Sequence, residues 1–256
     1  MGIGFRNAKK VAGRSAGFLT YTKQDMKHVG WCINKNIKIA VVPNWEGASN
    51  ANTAYEYLHD QILQHGVDFG DTKALFNVGF YMTDPMDNRI INRERKWSEE
   101  YAEAEWEWYM TGDPSINILG NLYGKVPEIW KRMADEDGNV NSNYGWQWQR
   151  NNQIQHVIEL LRHNPDTRQA AISIYDCKEF KDYKTDTPCT YAVQFTIVHG
   201  RLDMCVTMRS NDLWFGFCND QYCFSRLQEM VSKRLNIEPG VYYHFAHNMH
   251  LYNDKI

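Results

Sequence analysis

Cys189 is the residue in this chain whose setting best suits a nucleophile. It follows Pro188 in the stretch Asp186-Thr187-Pro188-Cys189-Thr190, just ahead of a strand-like segment. Proline stiffens the backbone there, and a thiol at an element boundary is only partly covered. Nearby arginines would lower its pKa from about 8.5 and so raise the thiolate fraction, which is the reactive species. The other reading is a buried structural cysteine. It serves equally for Cys177, Cys205, Cys218 and Cys223, which lie in or beside apolar segments. Further on, Met208-Arg209-Ser210-Asn211-Asp212 leaves the hydrophobic pattern abruptly. Arg209 beside the Ser210 hydroxyl suits a phosphate dianion, which takes a bidentate guanidinium and a short O–H bond. Alone it is equally a polar strand end in water. Gly216 stands between Phe215 and Phe217, where the missing side chain lets a planar ligand approach the backbone. Asp220 opens a helical segment, where a carboxylate either caps the helix or reads a ligand. Glu105, His250 and Tyr252 complete the candidates, each weak on its own.

These residues need elements to hold them. Trp97 to Tyr109 has a helical pattern, stopped at Thr111-Gly112-Asp113-Pro114, and Pro127 to Met133 is a shorter helix. Gln153 to His163 places Ile154, Val157, Ile158 and Leu161 on one face. Asp220 to Leu235 is a long helix with Phe224, Leu227, Met230, Val231 and Leu235 inward. Ala170 to Tyr175, Tyr191 to Val198, Leu202 to Met208 and Val241 to His247 are strand-like, with His199-Gly200 a hairpin turn. Upstream, Ile37 to Val42 suits a buried strand, and Ala51 to Gln64 a helix capped by Asn52 or Thr53. Strands and helices mix without regular βαβ alternation, which points to an α+β fold.

The composition sets limits. The chain has 256 residues, 43% hydrophobic and 14% aromatic, enough apolar area to fold and to exclude disorder. Lys and Arg number 28 against 31 Asp and Glu, a net charge of −3, so there is no basic footprint for duplex nucleic acid or an anionic membrane. Any phosphate must be held by a few placed arginines. No apolar run reaches the roughly 18–20 residues of a membrane span. Met1 to Lys10 lacks a secretory pattern, and the six cysteines fall at no metal-ligand spacing, so a metal-free protein of a reducing cytoplasm is expected.

In combination, Pro188-Cys189-Thr190, Gln194-Phe195, Arg209-Ser210-Asn211-Asp212, Gly216 and His250-Leu251-Tyr252 resemble the thymidylate synthase family. So do Glu105-Trp106-Glu107-Trp108-Tyr109 before Gly112-Asp113, Ile129-Trp130, Asn143-Tyr144-Gly145 with Trp148, and Pro165-Asp166-Thr167-Arg168. The resemblance runs in order from about Trp97 to Tyr252. It divides the chain into an N-terminal extension, residues 1–75, and a catalytic domain, residues 76–256. Within the family the chain looks most like the phage deoxycytidylate hydroxymethylases, through Asn141-Ser142-Asn143-Tyr144-Gly145-Trp146 and the run from Met208 to Asp220. Thymidylate synthases carry asparagine where this chain has Asp220. An amide serves uracil, which offers an N3–H donor and an O4 acceptor. A carboxylate serves cytosine, accepting from the N4 amino group and from a proton at N3, and against uracil it would face O4 lone pair to lone pair.

The resemblance implies a large twisted mixed sheet flanked by helices, with one sheet face forming a homodimer interface. It implies that Cys189 adds to C6 of dCMP and activates C5 toward the methylene carbon of 5,10-methylenetetrahydrofolate. Water then adds to the exocyclic methylene, giving 5-hydroxymethyl-dCMP; in a synthase, hydride gives methyl instead. Glu105 would organise proton transfer and water, with Tyr144 on the same network. Arg209, Ser210 and the partner subunit's Arg168 would hold the 5′-phosphate, and His250 and Tyr252 the sugar hydroxyl. Trp130 and the Asp212 to Gly216 turn would contact folate.

Three departures accompany the resemblance. Arg168 is followed by Gln169 rather than a second arginine, and Met133 replaces a family tryptophan. A further phosphate arginine could be Arg89, Arg93 or Arg95. The family's chain continues past the His-x-Tyr motif to close over folate, whereas this sequence stops at Ile256. Either that tail is missing here or the N-terminal extension takes over part of its role. The rival readings are a methylase of the same fold, acting on dUMP or dCMP, and a non-catalytic homologue that binds nucleotide or RNA.

Overall fold

A computed structural model describes residues 46–176 and 186–256. The strand expected at Ile37 to Val42, together with Cys32 and Cys177, lies outside the described residues. In chain order the elements are β1 (Glu46–Ala48), α1 (Ala51–His65), β2 (Val67–Phe69), β3 (Thr72–Met82), α2 (Glu99–Thr111), α3 (Ile116–Tyr123), α4 (Glu128–Met133) and α5 (Tyr144–Gln149). They continue with α6 (Gln153–His163), β4 (Ala171–Ser173), β5 (Thr190–Val198), β6 (Arg201–Met208), β7 (Asn211–Asp212), α7 (Cys218–Leu235) and β8 (Glu238–Tyr252). The architecture is α+β, a mixed sheet flanked by helices.

The sheet runs β1-β3-β8-β6-β5-β4, with β2 added to β3 and β7 to β8. β8 is the hub, antiparallel to β3 and parallel to β6 and β7. His199 and Gly200 both have positive φ, at 50° and 76°, which gives the β5–β6 connection the twist of a tight hairpin. Leu202, Met204, Val206 and Met208 alternate inward on β6, and Tyr242, His244 and Ala246 on β8. α1, α6 and α7 pack against that side. The other face of the sheet stays half-exposed and carries Tyr81, Tyr191, Cys205, Thr207 and Tyr243. Between α2, α5 and α7, Tyr109, Tyr144, Trp148 and Phe224 form an aromatic cluster, with Trp148 and Phe224 ring centres 5.3 Å apart. Each such ring buries a large apolar area, and edge-on pairs add about 0.5–1.5 kcal/mol beyond it.

Several expectations need adjustment. The cap of α1 is Asn50, whose Oδ1 accepts from Thr53 N at 2.8 Å, rather than Asn52 or Thr53. Asn52 instead accepts from the backbone of Ile91 and Asn92. The boundary expected after residue 75 falls inside β3, a central part of the sheet. That strand is hard to read in sequence because Asn77, with φ 57°, interrupts the alternation. β8 runs on to Tyr252, beyond the expected end at His247, because β3 pairs with it as far as Tyr252 and β7 adds Met249 and His250 on the other edge.

Candidate active site

A cavity of about 1060 Å³ lies over the C-terminal end of β8, between the β7–α7 turn, α2, α4 and the loop before β5. Cys189, Glu105, Tyr144, Asp220, Arg209, Ser210, Asp212, Gly216, Trp130, His250 and Tyr252 all line it. Arg168 does not: it is exposed ahead of β4, outside the cavity lining. The volume lies at the upper end for a single drug-sized ligand, which leaves room for two.

Arg209 and Cys189 are built as one unit. The Arg209 guanidinium donates to the carbonyls of Pro188 at 3.1 Å and Thr187 at 2.7 Å, and its Nη2 lies 3.6 Å from Cys189 Sγ. The Arg209 backbone N–H also donates to the Cys189 carbonyl at 2.7 Å. The thiol is therefore fixed beside a cation. Its pKa is nonetheless pushed up to about 11, because burial outweighs Arg209 and the neighbouring carboxyls of Asp220, Asp186 and Asp212 add to the rise. This corrects the expectation of a lowered thiol pKa. Desolvation wins over one charge that is itself shared with two backbone carbonyls.

Glu105 sits on α2 at 4% exposure. The Tyr101 hydroxyl, one turn earlier, donates to its Oε1 at 3.0 Å and accepts from Trp130 Nε1 at 2.8 Å. Burial raises the Glu105 carboxyl to about 7, against hydrogen bonds from Tyr101 and Tyr109 that pull it down. A group poised near neutrality suits proton transfer. Tyr144 enters the cavity from the first position of α5, which Asn143 caps by accepting from Trp146 N at 2.7 Å. The close approach depends on Gly145, where a Cβ would fall 1.9 Å from the Tyr109 carbonyl oxygen.

Asp220 is not the cap of α7. The helix begins at Cys218, Asp220 lies in its first turn, and its Oδ2 accepts from Asn211 Nδ2 at 2.8 Å. Burial, and then the charge of Glu105, hold its carboxyl well above the usual carboxylate range, with the Asn211 bond opposing. Asp212, expected among the ligand contacts, uses both oxygens locally: they accept from the backbone N–H groups of Trp214 at 2.9 Å and Phe215 at 3.1 Å. It thereby shapes the wide helical turn Leu213–Phe217 that carries Gly216 into the site. His250 Nδ1 bonds Asn248 Oδ1 at 2.8 Å, and burial lowers its pKa.

One side of the cavity carries apolar side chains. Trp130, Met133 and Phe215 line it, and Ile129 and Phe215 are 41% and 51% exposed, unusual for side chains of their kind. Lys125 and Arg132 stand beside this wall. Of the three candidate arginines, Arg95 lines the cavity and donates to the Trp214 carbonyl, whereas Arg89 pairs with Glu99 at 2.7 Å on the surface. Tyr101 and Asp186 were not singled out in the sequence as ligand-facing. Asp186 sat in the Cys189 motif and is buried, accepting from the Ser142 backbone N–H at 2.8 Å and from its hydroxyl. Among the described residues no cluster of three His, Cys, Asp or Glu side chains is arranged to hold a metal. No helix among them is long and apolar enough to cross a membrane.

Comparison with known proteins points one way. The family model described as thymidylate synthase matches residues 53–256. The chain is 37% identical over 145 residues to the deoxycytidylate 5-hydroxymethyltransferase of Enterobacteria phage T4, a match covering 53% of this chain and 57% of that enzyme. The same figures hold for the enzyme of phage T2. The chain thus spans little more than half the length of these curated relatives. It is 28% identical over 222 residues to the thymidylate synthase of Corynebacterium aurimucosum, covering 82% of this chain and 81% of that one. In structure it is similar to the thermostable thymidylate synthase A from Bacillus subtilis, with a TM-score of 0.67 at 23% identity, over 79% and 80% of the two chains.

Proposed function

Because the chain belongs to the thymidylate synthase family, whose reaction is one-carbon transfer to a pyrimidine nucleotide, we propose that it converts dCMP to 5-hydroxymethyl-dCMP. The co-substrate, 5,10-methylenetetrahydrofolate, supplies the one-carbon unit at the oxidation level of formaldehyde. Its ring would lie against Trp130, Met133 and Phe215, with Lys125 and Arg132 toward its anionic tail.

The observation that carries the reading is a carboxyl at Asp220 on the wall that also holds Cys189. Burial and the Glu105 charge favour the protonated form of this carboxyl, which has one O–H donor and one carbonyl acceptor. With its proton on the oxygen facing N3 it matches cytosine, which offers an acceptor at N3 and an amino donor at N4. The half-chain identity to phage hydroxymethyltransferases supports the same choice. Cys189 Sγ attacks C6, and because burial keeps the free thiol protonated, its proton passes in that step through water to Glu105, the base lining the same cavity. Glu105, near 7, takes and returns protons at the C5 side and orients the water that adds. Arg209 and Ser210 receive the phosphate. Arg168, which the chain does not use in its own cavity, completes the phosphate site of a partner subunit in an isologous homodimer formed through the half-exposed sheet face.

The test is nucleotide preference. The wild-type chain should turn over dCMP in preference to dUMP, and Asp220→Asn should move that preference toward dUMP at least tenfold in relative kcat/KM. An unchanged preference would leave Asp220 a structural residue and remove the cytosine assignment.

A further inference from the structure

A neutral carboxyl does not by itself distinguish cytosine from uracil. With the proton on one oxygen it donates to N3 and accepts from N4 of cytosine. With the proton on the other it accepts from N3–H and donates to O4 of uracil. Selectivity needs something that fixes which oxygen donates.

Asn211 is placed to do this. It is 1% exposed, sits in β7 hydrogen-bonded beside Met249 of β8, and gives its side-chain Nδ2 to Asp220 Oδ2 at 2.8 Å. A carbonyl oxygen accepts such a bond better than a hydroxyl oxygen does, so the bond keeps Oδ2 the acceptor and puts the acid proton on Oδ1. The Gly216 backbone closes over the pair: a Cβ there would lie 3.2 Å from Asp220 Oδ2 and 3.3 Å from Asn211 Nδ2. A side chain at position 216 would press on both partners, and the turn that carries Gly216 is held by Asp212. We infer that Asn211, with Gly216 packed against it, is a specificity-determining positioning residue that fixes the donor–acceptor order of the Asp220 carboxyl so that the wall reads cytosine and rejects uracil. This rests on the dCMP reading above and adds the residue that makes it selective.

The experiment measures the dissociation constants of dCMP and dUMP by calorimetry for wild type, Asn211→Leu and Gly216→Ala, with circular dichroism to report folding. Leucine keeps the volume of Asn211 and removes its donor. The dCMP/dUMP affinity ratio should fall about tenfold, the scale of one buried hydrogen bond with its wrong partner left unpaired. Gly216→Ala should lower the ratio in the same direction, and it answers the question if Asn211→Leu does not fold. A wild-type chain that binds both nucleotides equally overturns the cytosine reading and this inference with it. A discriminating wild type whose folded Asn211→Leu or Gly216→Ala variant discriminates equally overturns the inference alone. A merely structural Asn211 would weaken both nucleotides alike and leave the ratio where it was.

Discussion

The Tyr101 hydroxyl donates to the Glu105 carboxyl at 3.0 Å while accepting from the Trp130 indole N–H at 2.8 Å. One phenol thus ties the residue proposed to handle protons to the wall on which the one-carbon donor would rest. Its bond favours the ionised form of Glu105 and so opposes the burial that leaves this carboxyl at about 7. Tyr101→Phe removes that donor, so the acid limb of the kcat–pH profile should move to higher pH. At pH 7 kcat should drop several-fold, because less of Glu105 is ionised, with the KM for nucleotide little changed. A profile that does not move would leave Tyr101 as packing only.

Glu105 also sets a stability cost with a definite sign. Its carboxyl is raised in the folded chain from 4.5 to about 7. Well below pH 4.5 it is neutral folded and unfolded, and it costs nothing. As pH rises toward 7 the unfolded chain ionises first, and the folded state loses roughly 3 kcal/mol by pH 8. Glu105→Gln should therefore abolish turnover and yet be more stable than wild type at pH 8, with the difference nearly gone by pH 4.5. Urea midpoints at the two pH values give the comparison.

Cys189, at about 11, should be a slow thiol in the free chain. Its alkylation by iodoacetamide, followed on its own peptide by mass spectrometry, should rise about tenfold per pH unit between pH 8 and 10. Fast alkylation at pH 7 would show that Arg209 outweighs burial. Cys189→Ser should lose turnover and keep nucleotide binding.

Arg168 gives a test of the shared site. Mixing inactive Cys189→Ser with inactive Arg168→Ala should restore about a quarter of wild-type activity, because each mixed dimer regains one intact site. No recovery in proven mixed dimers means that Arg168 does not serve a partner.

The α+β frame was legible in the sequence, and so was the set of residues that the fold gathers around one cavity. Cys189, Arg209, Gly216 and Asp220 occupy short runs whose polarity breaks the core pattern, and such breaks survive in one dimension. The long amphipathic stretches behaved likewise: Gln153–His163 is a helix with Ile154, Val157, Ile158 and Leu161 buried. What the sequence hid was set by tertiary contact. β3 lost its alternation to Asn77, and the Asp220 cap reading gave way because Asn211, distant along the helix approach but adjacent in space, took the carboxyl. The thiol pKa failed for the same reason: arginines can be counted in a sequence, whereas the depth of burial that outweighs them cannot.

The most direct measurement weighs the nucleotide product formed from dCMP and 5,10-methylenetetrahydrofolate and follows dihydrofolate by absorbance in the same reaction. A hydroxymethylase adds CH₂O to dCMP and releases tetrahydrofolate, so no dihydrofolate appears; that is the predicted result. Addition of CH₂ with equimolar dihydrofolate, on dCMP or on dUMP, would mean that hydride rather than water completes the reaction and would contradict the account.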